Sequence, residues 1–87
     1  MTLRVKTTRY FEEQVLVRRP YLRREWCERA VADAEFTVRE HSGRVRYYRR
    51  IEELGGRWLR VITLEDGETI HNAFPDRRFS PPLGQTE

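Results

Sequence analysis

His71 is the residue of this chain best suited to move a proton, because imidazole titrates near neutral pH. It stands in Thr69-Ile-His-Asn-Ala-Phe-Pro-Asp-Arg77, a segment that joins a strand-like run to basic residues. A second segment, Arg44-Val-Arg-Tyr-Tyr-Arg-Arg50, packs four Arg and two Tyr into seven positions. RNA can be cut without a metal when a base takes the 2′-OH proton, an acid protonates the leaving oxygen and cations stabilise the charged transition state. His71, Tyr48 (or its neighbour Tyr47) and Arg46 supply those three residue types and are the candidate catalytic set. Arg44, Arg50 and Arg77 are candidate phosphate contacts, since guanidinium grips phosphate bidentately while Tyr stacks on unpaired bases. The plainer alternative is a structural His71 and a solvated strand whose Arg stems cover apolar neighbours. Both readings stay open at this point.

Other chemistries lack their residues. No His-x-x-x-His or carboxylate–His motif suggests a metal, and no Gly-rich phosphate loop or nucleophile-elbow serine is present, so no metal or cofactor is expected. Cys27 is the single cysteine, which rules out an intramolecular disulfide; beside Trp26 in a helical pattern, it is expected to be a buried, inert thiol. His41 adjoins a turn and reads as a surface residue. Asp76-Arg77-Arg78 reads as a local ion pair closing the last strand, or else as a phosphate clamp.

Eighty-seven residues allow one domain with a modest core. Seventeen basic residues against fourteen acidic ones leave a net charge of +3, and all but Lys6 of the basic set are Arg. That bias fits either an anionic partner or an Arg-rich coding habit, so placement has to decide. No apolar run approaches the roughly 20 residues of a membrane span, and no secretory leader pattern is seen. A cytoplasmic location without membrane contact is expected.

The elements that must position these residues follow from periodicity. Phe11 and Val15, four apart, suggest a helix over 9–18, although Val15-Leu16-Val17 also suits a strand. Pro20 ends it and can open a second helix over 21–34, striped by Leu22, Trp26, Ala30 and Ala34. The period then changes to two. Strands are expected from Phe36, over Arg44–Glu53, over Trp58–Glu65 and over Glu68–Phe74, with turns at Ser42-Gly43, Gly55-Gly56 and Asp66-Gly67. The result is an α+β domain over 1–79, with two N-terminal helices packed on a four-stranded antiparallel β-meander and a flexible tail over 80–87.

Two-residue turns would set Ile62 opposite His71, Val61 opposite Asn72 and Arg49 opposite Ile62. One face would then carry Phe36, Val38, Val45, Tyr47, Ile51, Trp58, Ile62, Leu64 and Ala73, with Arg49, Arg60 and His71. This more apolar face is the expected helix-covered core. The other would carry Arg44, Arg46, Tyr48 and Arg50 beside Leu59, Val61, Ile70, Asn72 and Phe74. A one-residue bulge would reverse such assignments.

The layout, small size and basic charge resemble the RelE-like ribonuclease toxins of bacterial toxin–antitoxin modules. Gly43-Arg-Val-Arg-Tyr-Tyr48, Leu59-Arg-Val-Ile-Thr63 and Thr69-Ile-His-Asn-Ala-Phe-Pro-Asp-Arg77 look closer to the related BrnT and DUF4258 domains of the barnase/EndoU/colicin/RelE nuclease fold. The similarity covers roughly residues 10–79. It implies a RelE-like α+β fold and a metal-independent endoribonuclease acting on mRNA or ribosome-bound RNA, with an antitoxin-type protein partner or a homodimer. The positions it matches to RNA-contacting and catalytic groups are Arg46, Tyr48, Arg50, Arg60, His71 and Arg77. RelE-type toxins often use Lys, and the one Lys here lies far from the strands. A non-catalytic RNA-binding or protein-interaction module of the same fold is the alternative.

Overall fold

The computed structural model describes residues 6–82. The first helix opens at Thr8, whose hydroxyl oxygen accepts the Phe11 N–H at 3.1 Å and whose carbonyl accepts the Glu12 N–H at 3.1 Å. The hydroxyl thereby satisfies one of the donors that a helix start leaves without a partner. A π-helical turn, Phe11–Val15, runs into a short α-helix, α1, Leu16–Arg18. Helix, not strand, is therefore the state of this segment, and Phe11 and Val15 are both buried. Pro20, which lacks an N–H, stands in the turn that follows and does not open the second helix.

That second helix, α2, spans Arg24–Ala32 and is shorter at both ends than the pattern suggests. Arg23 is the extended residue before it (φ −104°, ψ 137°). Leu22 and Cys27 flank the first turn and meet in the core, an apolar clasp that fixes how the chain enters the helix. Asp33 leaves the helical region (φ −142°), so Ala34 lies outside it.

The strands are β1 Phe36–Arg39, β2 Val45–Ile51, β3 Arg57–Thr63 and β4 Ile70–Pro75. They pair antiparallel in the order β1-β2-β3-β4, the expected meander. Residues 6–8 run parallel along β4. Thr7 bridges Ile70, the Ile70 N–H donates to Lys6 O at 2.8 Å, and the Thr8 N–H donates to Ile70 O at 3.0 Å.

All three connections differ from two-residue turns, and the faces change with them. In the first, Arg39 pairs with Val45, and Gly43 (φ 99°) closes a longer loop, so Phe36 meets Tyr48. In the second, a 3₁₀ turn, Glu52–Leu54, precedes Gly55 and Gly56, so Ile51 pairs with Arg57 and Arg49 with Leu59 instead of Ile62. In the third, the Asp66 carboxylate accepts the Glu68 and Thr69 N–H groups at 2.9 Å, which holds the turn at Gly67. The register then slips: Thr63 pairs with Ile70 but Ile62 with Asn72, which leaves His71 as the extra residue of a bulge. An odd shift in register turns a strand over.

The covered face therefore carries Val45, Tyr47, Ile51, Leu59, Val61, Thr63, Ile70 and Ala73. The buried cluster joins Ile51, Leu59, Val61, Ile70 and Ala73 of this face to Phe11, Val15, Leu22, Cys27 and Ala30. Phe36, Val38, Trp58, Arg60 and Ile62, expected in the core face, lie on the other side with Tyr48. Arg49 stays on the covered side and ends on Asp33 at the close of α2, donating to its carbonyl at 2.9 Å, where a cation suits the helix C-terminus. Of the expected tail, residues 80–82 form neither helix nor strand, and 83–87 lie outside the described residues. Among the described residues, no helix is long and apolar enough to cross a membrane.

Candidate nucleic-acid interface

The arginines chosen from the sequence divide by what already holds them. Arg50 pairs with Glu35 at 3.2 Å and Arg60 with Asp76 at 2.6 Å. Arg46 Nε stands 3.0 Å from a Glu40 carboxylate oxygen, but its N–H is not aimed there, so the contact is ionic and not a hydrogen bond. These guanidinium groups must exchange a carboxylate for a phosphate before they bind nucleic acid. Arg44 and Arg77 are exposed and have no carboxylate partner among the described residues. Asp76 takes Arg60 instead of its neighbours as its ion-pair partner, and Arg78 supplies only a backbone N–H at 3.0 Å. Burial pushes the Asp76 carboxyl up, but the backbone N–H of Arg78 and the Arg60 guanidinium outweigh it, and the net shift is downward.

Tyr48 is only 2% exposed. Its ring lies under Phe79, centroids 3.8 Å apart and planes at 12°, and its hydroxyl takes a hydrogen bond from Arg46 at 3.2 Å. It does not meet His71. The bulge instead carries His71 to the N-terminal segment, where its Nδ1 lies 3.0 Å from Thr8 Oγ1 and its ring packs on Tyr10 at 4.9 Å. Thr8 Oγ1 already accepts the Phe11 N–H, so its own proton is free to point at Nδ1. That arrangement suits a neutral ring protonated on Nε2. Burial, and after it the positive charge of Arg44, lowers the His71 pKa and favours the same neutral form. The nitrogen that a general base would use is thus the one Thr8 occupies. His71, Tyr48 and Arg46 are not brought together as one catalytic set.

A different group is brought together. Tyr10, Gln14, Val15, Arg18, Arg19 and Tyr21 line a cleft of about 340 Å³ with Asn72 of β4. Tyr10 is 44% and Tyr21 51% exposed, so both rings are open to a stacking partner. Neither Arg18 nor Arg19 has a carboxylate partner among the described residues, and the Arg19 guanidinium lies 5.9 Å from the Phe74 ring centre. The lining of the cleft therefore includes two uncompensated cations and two accessible aromatic rings, with amides from Gln14 and Asn72 as directional donors and acceptors. A larger concavity, about 980 Å³, is a poorer anion site: its Arg29, Arg49 and Arg50 are paired with Glu53, Asp33 and Glu35.

The signal for this cleft was present but unread. Tyr10, Gln14 and Arg18 recur at four-residue steps along a helix stripe that adjoins the buried Phe11 and Val15. What placed Asn72 beside them was the pairing of residues 6–8 with β4, which depends on a bridge 63 residues apart in sequence. Among the described residues, no three His, Cys, Asp or Glu side chains gather in a way that could hold a metal ion. Comparison of the chain with protein-family models, with curated proteins and with solved structures finds no match.

Proposed function

We propose that this chain is a small cytoplasmic RNA-binding domain that takes single-stranded RNA along the cleft between the first helix and β4. The observation that carries the reading is the pair of guanidinium groups without a carboxylate partner among the described residues, Arg18 and Arg19, lining one cleft with the exposed rings of Tyr10 and Tyr21. Arg supplies phosphate contacts and Tyr supplies sequence-tolerant stacking, the combination used for unpaired strands. Two short helices ahead of a four-stranded antiparallel meander support the RelE-like resemblance as part of the same proposal.

A second reading, a ribonuclease toxin held by an antitoxin-type protein or a second copy of the chain, rests on a neutral His71 beside Tyr10. The occupied Nδ1 and the buried Tyr48 favour binding without cleavage.

The test is binding of a short, fluorescein-labelled single-stranded oligoadenylate, followed by anisotropy as salt is varied. Each lost phosphate contact should lower the log–log salt slope by about 0.7, so an Arg18→Ala/Arg19→Ala variant should fall by about 1.4. No binding by the wild type, or an unchanged slope in the variant, would sink the cleft. Cleavage of the RNA by wild type but not by His71→Ala would move the assignment to the ribonuclease.

A further inference from the structure

The open side of the sheet holds an aromatic box filled by the chain's own C-terminal segment. Tyr48 is the floor. Phe36 and Trp58 are the walls, 5.8 Å apart between ring centres, and Phe79 lies inside, 5.7 Å from Phe36 and 4.9 Å from Trp58. Arg60 borders the box with its guanidinium 5.5 Å from the centre of the Tyr48 ring, and both its Nε (3.1 Å) and Nη2 (2.6 Å) donate to one oxygen of Asp76. One short stretch thus places a flat ring on Tyr48 and an anion on Arg60. A tight turn sets the spacing: Asp76 N–H donates to Trp58 O at 2.8 Å, and Arg78 N–H to the Asp76 carboxylate at 3.0 Å.

We propose that Asp76 and Phe79 stand in for a nucleotide, and that Tyr48, Trp58, Phe36 and Arg60 form a second subsite for one unpaired base and its phosphate, closed by this segment until it lifts. A base would stack on Tyr48 as Phe79 does, and a phosphate oxygen would take the two Arg60 donors that Asp76 now takes. Phe79 cannot simply be one more core residue in this scheme, because the main core lies across the sheet and the box has its own cation at the rim. The inference deepens the RNA-binding reading and rests on it for the class of ligand.

The probe is the same labelled oligoadenylate, at one fixed salt concentration. Asp76→Asn removes the competing charge and leaves the aromatic box whole; Asp76→Asn/Phe79→Ala also empties it. The double variant should bind at least about 5-fold more tightly than wild type, Asp76→Asn should lie between, and adding Tyr48→Leu to the double variant should cancel the gain. Retained dispersion of the amide NMR spectrum checks that each variant is folded. Should the double variant fail to fold, Asp76→Asn alone decides, and equal or weaker binding than wild type overturns the subsite. Wild type that binds through Arg18 and Arg19, with folded variants no tighter, overturns the subsite and leaves the cleft. Tight binding by the variants alone does the reverse. Binding by none of them overturns both.

Discussion

The ion pair between Glu12 and Arg24 ties the helix that lines the cleft to α2, and its contribution can be worked from its geometry. Arg24 Nη2 donates to Glu12 Oε1 at 2.6 Å, Nη1 donates to Oε2, and Thr7 Oγ1 adds a donor to Oε2 at 2.5 Å. Hydrogen bonds from Arg24 first, and from Thr7 second, hold the Glu12 carboxyl at about 2 instead of 4.5. Taken at face value, that difference of 2.5 corresponds to a ceiling of about 3.4 kcal/mol. The Arg24 and Glu12 side chains are 44% and 34% exposed, however, and solvent screening and side-chain ordering bring the expected value nearer to ~1 kcal/mol. The folded-state pKa is depressed, so this stability is fully present above the unfolded value of 4.5 and is lost as pH falls through about 2. Glu12→Gln should therefore lower the urea midpoint near neutral pH by about 0.5–1 M, with an unchanged slope. The gap to wild type should close progressively below pH 4.5. An equal midpoint at neutral pH, or a gap that persists undiminished in acid, would refute the reasoning.

Two further outcomes test the packing. Cys27 is fully buried and burial pushes its thiol up to about 12, so a disulfide reagent at mildly alkaline pH should react only as fast as the protein opens; immediate stoichiometric labelling of native protein would contradict its place in the core. Gly43 sits at φ +99°, and a Cβ there would come 2.8 Å from the flexible Glu65 side chain, which can move aside; the backbone strain remains, and Gly43→Ala should cost about 1–2 kcal/mol in denaturant unfolding, whereas no loss would mean that the first hairpin closes differently.

The order of elements was readable because it rests on local period and punctuation. Phe11 and Val15 at helical spacing, Asp66-Gly67 between two apolar runs and a Cys27 inside an apolar stripe each reach their observed state through neighbours within a few residues. Which side chains face the core was not readable, because it depends on the parity of three loops. The turn at Gly43, the 3₁₀ turn before Gly55 and the bulge at His71 each change the register by an amount that simple two-residue turns do not foresee. Phe36 and Trp58 consequently moved to the open side, and Arg60 moved with them to meet Asp76 there.

The same parity governs the arginines. Composition alone makes the strand Arg44-Val-Arg-Tyr-Tyr-Arg-Arg50 the conspicuous basic feature, yet Arg46, Arg49 and Arg50 are each matched by a carboxylate from another element. A matched guanidinium contributes little net field, and a phosphate must displace its partner before binding. Arg18 and Arg19, which stand in no such run, keep their charge uncompensated beside two open aromatic rings. In a chain this rich in Arg, the density of cations along the sequence is therefore a poor guide to the anion site. The better guide is the set of cations left after the fold's own carboxylates have taken theirs, and within that set Arg18 and Arg19 are the pair that shares a cleft with two open aromatic rings.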